Sequence, residues 1–255
     1  MAQGLLPLRT PQMRADALSE ARRVAPRLLG GGVLVYAFLT GTGLLLTRTL
    51  GHGRPMGFDA GASQWMFRHR TPGLNTLTHI GSLMSDTMTA FAVTTVLFLG
   101  LRWWLGRWRE PLAILASIMG ELFIFLLVTS TVHRQRPTVP HLDPAPPTSS
   151  FPSGHVGAAV ALYIGLAVVL LHVTRTEGLR PDRRRVALVV APLLCLVPLS
   201  VAGSRVYRGM HFVTDVSAGA LAGGLWMAIV MVTLLAGASA GPSVAIARNP
   251  DRDRG

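Results

Sequence analysis

The 255-residue chain has no lysine and one cysteine, and only 14% of its residues are charged. Soluble domains carry about a quarter charged residues, so an ordinary soluble domain is excluded. The single Cys195 rules out an internal disulfide framework and reads as a small buried hydrophobe. The missing lysine leaves all 24 basic side chains to arginine, a compositional bias rather than a functional signal. A net charge of +12 would suit a nucleic-acid partner. The arginines, however, are scattered between apolar blocks instead of forming one stripe, and nucleic acid is set aside as a partner.

Hydrophobic residues make up 50% of the chain and arrive in long blocks. Such blocks favour a bilayer as the solvent over amphipathic packing in water. Six stretches approach the ~20 residues a membrane crossing needs: 28–48, 86–105, 111–132, 156–173, 186–203 and 212–236. The expected fold is all-α, a polytopic membrane protein built as a six-helix transmembrane bundle with short interfacial amphipathic helices. The fifth stretch is short and holds Pro192 and Pro198, which predicts a kink. The first lacks a small-residue cleavage site before polar sequence and is read as a retained span rather than a leader.

Arginine placement orients the bundle. With the N-terminus inside, 16 of the 24 arginines face the cytoplasm. Residues 1–27 then form a cytoplasmic N-terminal segment and 28–237 the transmembrane domain. A tail at 238–255 is cytoplasmic and expected to be disordered. Trp103, Trp104 and Trp108 suit an aromatic belt at the inner interface. Residues 57–85 are mixed in character, with apolar positions at helical spacing broken at Thr71-Pro72-Gly73. They read as one or two short helices in the outer interface, placed to gate a pocket.

This topology gathers three polar clusters on the extracytoplasmic face of the cell membrane. His133 to Pro137 leaves the third span; the outer loop 134–155 ends in Phe151-Pro152-Ser153-Gly154-His155; Ser204 to Asp215 joins the fifth and sixth spans. His211 and Asp215 are four residues apart, so they stack on one helix face. A carboxylate there can take a proton from one ring nitrogen and leave the other lone pair free to attack. A structural hydrogen-bonded pair is the bland alternative. Ser153 suits an N-cap and Gly154 a close approach of an anion to the backbone at a helix start. His155 is then placed to protonate a leaving oxygen. Arg136 and Arg205 offer planar forks for phosphate oxygens, unless they merely anchor lipid headgroups. Arg134 is the more structural candidate. Together these groups supply what phosphoryl transfer through a phosphoenzyme needs.

These residues resemble the signature of the type 2 phosphatidic acid phosphatase superfamily: Lys-x6-Arg-Pro, Pro-Ser-Gly-His and Ser-Arg-x5-His-x3-Asp. The second part is complete at Pro152, Ser153, Gly154 and His155, and the third at Ser204, Arg205, His211 and Asp215. The first keeps Arg136 and Pro137 but has Thr129 where the family has lysine. The resemblance implies a membrane phosphatase without cofactor or metal, acting on a lipid phosphate or diphosphate. Phosphatidic acid, phosphatidylglycerol phosphate and polyprenyl diphosphate are the substrates it suggests. It also implies that His211 attacks phosphorus to give a phosphohistidine, with Asp215 polarising it. His155 would act as acid and then base, and Arg136, Arg205, Ser153 and the Gly154 backbone would hold phosphate.

The missing lysine would remove about 2.7–4 kcal/mol of transition-state stabilisation by analogy with deleted oxyanion donors. Arg134, two residues from Arg136, is the candidate substitute and joins the expected phosphate-binding set. Two alternatives stay open: transfer of the same phosphoryl group to another lipid acceptor, and a catalytically weakened lipid-phosphate binder or transport-related protein. Glu121 lies near the middle of the third span, about 18 Å along the helix from His133. It is expected to serve a structural partner, a hydroxyl or an arginine on a neighbouring helix. His133, His141 and Asp143 match no recognised metal-ligand spacing with His155.

Overall fold

In the computed structural model, residues 11–49, 54–176 and 180–235 are described. The expected tail at 238–255 and the first ten residues of the N-terminal segment lie outside them. The described chain is helical and carries no strand. Among the described residues, six helices are long and apolar enough to cross a membrane. Backbone N–H and C=O groups in hydrocarbon have no water to bond, so apolar runs of this length close their hydrogen bonds within a helix.

α1 (Pro11–Leu44) runs on through a π turn at Leu45–Thr49, and its apolar part is Leu18–Arg48. The helix therefore begins well before residue 28 and absorbs most of the segment expected to precede it. α2 (Arg54–Arg68), which starts three residues before the stretch 57–85, and α3 (Pro72–Leu83) are two short helices where one or two were expected. Pro72 occupies the first turn of α3, where its missing N–H is harmless, and Thr71 caps that helix through Leu74 N. α4 (Thr87–Leu105) is capped by Asp86 and ends on Gly106 at φ +69°, a left-handed C-cap. α5 (Arg109–Thr131) returns.

The fourth span, Gly154–Thr176, consists of α6 (Gly154–Ala159), a π turn at Val160–Ile164 and α7 (Gly165–Thr176). α8 (Pro181–Tyr207) carries both expected prolines inside one unbroken helix and is longer than its apolar run suggests. α9 (Val213–Leu234) closes the bundle.

Leu29, Phe91, Phe123, Leu188 and Leu199 point outward and are exposed, as they would be if lipid rather than water covered them. Trp103, the most exposed of the large apolar side chains, stands with Trp108 near the α4–α5 turn. Arg109 meets Glu20 at 3.4 Å, which puts the N-terminal part of α1 and the α4–α5 turn at one end of the bundle. The polar clusters occupy the opposite end.

Close backbone approach sets the relation between the fourth span and α9. A Cβ on Gly219 would strike the carbonyl of Ser153, and one on Gly223 the carbonyl of Gly157. These two glycines, four residues apart on one face of α9, let the backbones touch, as small residues do between membrane helices. Trp226, one turn further along α9, packs where a Cβ on Gly120 of α5 would fall and donates its Nε1–H to Ala116 O at 3.0 Å.

Candidate active site

The loop between α5 and α6 folds back over the end of α9. Ser149 Oγ accepts from Arg134 N at 3.1 Å and from Phe151 N at 3.1 Å, while Ser150 N donates to Arg134 O at 2.9 Å. Ser150 is thereby fixed over His211. Its carbonyl lies 2.8 Å from His211 Nδ1. A carbonyl only accepts, so Nδ1 carries the proton and Nε2 presents its lone pair. Nε2 lies 3.4 Å from Arg136 Nη1. Burial holds the His211 pKa well below the ordinary histidine value, and the charges of Arg205 and Arg136 push the same way. The ring is therefore neutral at neutral pH, the form in which it can attack.

Asp215 supports this histidine differently from the sequence expectation. Its Oδ2 is 3.9 Å from Nδ1, beyond hydrogen-bond reach. The carboxylate is already taken by Ser150 Oγ at 2.5 Å, Phe212 N at 2.9 Å and Arg134 Nη1 at 2.5 Å. The direct proton acceptor is the Ser150 carbonyl, and Asp215 acts by holding Ser150 and by its charge.

Arg134 also differs from its expected role as a phosphate ligand. Its guanidinium is buried between Asp215 and Asp59, with Nη2 2.8 Å from Asp59 Oδ2, and it lies over the Phe212 ring at 4.6 Å. It contributes nothing to the cavity wall, so it does not replace the missing lysine. Thr129, at that lysine position, also stands outside the wall.

His155, Gly154, Arg136, Arg205 and His211 line one cavity of about 750 Å³. Segments separated by up to 75 residues in sequence thus meet, as the family signature requires. Arg205 Nη1 bonds Ser82 Oγ at 2.8 Å and Asp143 Oδ2 at 3.1 Å, and Arg136 Nη1 donates to Met210 O at 2.7 Å. The Nε atoms of both arginines are buried without a partner among the described residues. Burial lowers the Arg136 pKa, and Asp215 counteracts it.

His155 is anchored through its carbonyl, which accepts from Ser85 Oγ at 2.6 Å. Ser153 occupies the N-cap position of α6, yet its hydroxyl makes no cap bond, has no partner and is fully buried. It lies outside the cavity wall, whereas Gly154 lies within it.

Asp143, weighed from sequence as a metal ligand, is paired instead with Arg208 at 2.5 Å and Arg205 at 3.1 Å. Burial would raise its pKa, but the hydrogen bond and charge of Arg208, aided by Arg205, hold it below the usual carboxylate range. His141 closes its own loop on Pro137 O at 2.9 Å. Among the described residues no group of three His, Cys, Asp or Glu side chains converges for a metal.

The profile of the PAP2 superfamily matches residues 110–237, just over half of the chain. The chain belongs to the PAP2 superfamily. Two solved structures share its fold. One is the transmembrane PAP2 type phosphatidylglycerolphosphate phosphatase from Bacillus subtilis, 24% identical, with a TM-score of 0.66 over 78% of this chain and 93% of that one. The other is LpxE from Aquifex aeolicus, 22% identical, with a TM-score of 0.50 over 66% of this chain and 92% of that one. No curated protein sequence matches.

Within this PAP2 chain, three contributors were missed from sequence. Asp59 on α2 is fully buried and accepts from Arg134 Nη2, Thr214 N and Thr214 Oγ1. Its position in a mixed, apparently interfacial helix hid a long-range ion pair. His79 of α3 lines the cavity beside Ser82. Its place on the polar side of an amphipathic helix was the only signal available.

Glu121 is the third. It lines the cavity and has neither the hydroxyl nor the arginine partner expected of it. Distance along α5 from His133 was the wrong measure. The fourth span starts deep enough that Gly157 lies against the Glu121 carboxyl.

Proposed function

We propose that the protein is a metal-independent lipid phosphatase of the cell membrane, working through a phosphohistidine on the extracytoplasmic face. The observation that carries this reading is the His211 ring: Nδ1–H tied to the Ser150 carbonyl, with Nε2 beside the Arg136 fork. A neutral imidazole held this way has one lone pair to give, and it is placed among cationic groups that suit a phosphate.

In the proposed cycle, the phosphate of a lipid phosphate or diphosphate sits between Arg136, Arg205 and the Gly154 backbone N–H. The Nε2 lone pair attacks phosphorus and the P–O bond to the lipid breaks. His155 gives its proton to the departing oxygen. His155 then takes a proton from water, whose oxygen attacks the phosphohistidine. The P–N bond breaks and inorganic phosphate leaves. The Ser150 carbonyl, steadied by Asp215, stabilises the ring as it gains charge. Arg136 and Arg205 neutralise the equatorial oxygens.

The cavity supports a lipid rather than a soluble phosphate. From the polar end its wall runs into Phe91 and Phe98 of α4 and Leu115, Met119 and Leu122 of α5, a path suited to a hydrocarbon chain. The arginine distribution supports termini inside and the site outside.

The test is phosphate release from phosphatidic acid, phosphatidylglycerol phosphate and polyprenyl diphosphate, with and without chelator. Rapid acid and alkaline quenches accompany it, because a phosphohistidine survives base and decays in acid. His211→Ala should abolish both release and the base-stable phosphoenzyme. Full activity in that variant removes the nucleophile, and loss of activity with chelator removes the metal-free mechanism.

A further inference from the structure

The proposed cycle makes no use of Glu121. Its side chain is 3% exposed, and what exposure it has is to the cavity that holds His155 and His211. Among the described residues it makes no hydrogen bond or ion pair. Its α5 neighbours in the wall, Ile118, Leu122 and Phe125, are apolar. Thr94 of α4 is buried in the wall of the same cavity, and its hydroxyl likewise has no partner. Unpartnered polar groups in an apolar membrane wall are unfavourable, and an ionisable one in a span usually serves a ligand.

Their depth says which part of a ligand they meet. A Cβ on Gly157 would overlap Glu121 Oε1, so the carboxyl lies directly against the α6 backbone at that residue. Gly157 is two residues beyond His155, a rise of about 3 Å. When phosphorus sits at His211 and the leaving oxygen at His155, the first few atoms of the lipid beyond that oxygen pass Glu121. A prenyl chain offers only hydrocarbon there. A glycerol lipid offers ester carbonyls and oxygens.

We infer that Glu121, with Thr94 in the same wall, is the specificity-determining pair that hydrogen-bonds the glycerol ester region, and that the substrate is a glycerol-based lipid monophosphate. This rests on the lipid-phosphatase reading above. A carboxyl retains acceptor oxygens and, when protonated, one O–H donor, and the threonine hydroxyl is both donor and acceptor. Ester oxygens only accept, so the O–H of a protonated Glu121 and the Thr94 hydroxyl are the donors that can reach them, whereas a hydrocarbon chain would leave both orphaned.

The test compares purified wild type, Glu121→Leu, Glu121→Gln and Thr94→Val on a diacyl phosphatidic acid and on farnesyl phosphate, in mixed micelles. Wild type should prefer the diacyl lipid. Glu121→Leu should lower kcat/KM for it by about tenfold while leaving farnesyl phosphate unchanged or improved. Glu121→Gln, which keeps shape and hydrogen bonding, should retain most of the diacyl activity. Thr94→Val repeats the test at the second hydroxyl-bearing position without altering side-chain volume and should show the same selective loss.

Equal losses on both lipids, or a wild-type preference for farnesyl phosphate, overturn the inference and leave the phosphatase reading standing. Wild type active only on polyprenyl diphosphate also overturns the inference alone, whereas wild type that releases phosphate from none of these lipids, phosphatidylglycerol phosphate included, removes the phosphatase reading and this inference with it.

Discussion

Replacing Asp59 with alanine removes one side of an ion pair that lies outside the cavity wall. Both partners are nearly inaccessible, Asp59 at 0% and Arg134 at 3% side-chain exposure. The substitution takes one of two carboxylates from the Arg134 charge and the acceptor from both Thr214 N and Thr214 Oγ1. Deleting one member of a buried pair destabilises by roughly 3–5 kcal/mol, because the remaining charge stays desolvated. For a chain of this size roughly 2–4 °C of Tm accompany each kcal/mol, so the fall should be about 6–20 °C.

Thermal unfolding in detergent, run beside phosphate-release kinetics, reads the effect. Asp59 does not touch His211 and acts on it through Arg134 and Thr214, which flank Asp215, so kcat should fall with Tm while KM stays near wild type. Asp59→Asn keeps the shape and an acceptor for Thr214 but loses the charge, and should fall between the two. An Asp59→Ala protein that melts like wild type would refute the view that this pair docks α2 onto the site. A raised KM at unchanged Tm would refute the positioning chain.

Three further outcomes follow from the same contacts. Gly219→Val drives a side chain into the Ser153 carbonyl. Overpacking of this kind costs about 1–3 kcal/mol, and the displacement of His155 from His211 should reduce kcat by about a hundredfold. Gly203→Ala, which meets nothing within 4 Å, should change neither, and equal damage from both variants would discredit the close approach. Because burial and then the charges of Arg205 and Arg136 lower the His211 pKa, the attacking neutral ring persists below the ordinary value of about 6.5. The acid limb of kcat/KM attributable to His211 should lie below that pH. Arg136→Gln removes a charge that disfavours imidazolium, so its limb should move to higher pH; a limb that stays in place or moves lower contradicts the assignment. Ser150→Ala keeps the carbonyl on Nδ1 but deletes the 2.5 Å bond to Asp215, so kcat should drop only about fivefold. A loss matching that of His211→Ala would mean the hydroxyl, not the carbonyl, does the orienting.

The spans were legible from sequence because each is a long apolar run, and a bilayer requires such a run to be helical wherever it sits. Their ends were less legible. α1 and α8 continue through arginine-rich turns, since helical hydrogen bonding extends past the point where hydropathy drops. His155, Arg205 and His211 were legible as neighbours because their motifs are complete over short spacings, and Arg136 because its motif keeps the Arg-Pro pair.

What sequence by itself determined is therefore the list of reactive groups and the number of crossings, both of which depend on residues near one another along the chain. Only tertiary structure decided who partners whom. Asp215 is consumed by Arg134 and Ser150, and a backbone carbonyl takes the histidine proton. Arg134 turns away from the cavity toward Asp59, 75 residues earlier, and Glu121 lines the cavity against Gly157 of α6. Those outcomes depend on which charge finds a desolvated partner first, and that is a property of helix depth and rotation that no spacing along the chain encodes.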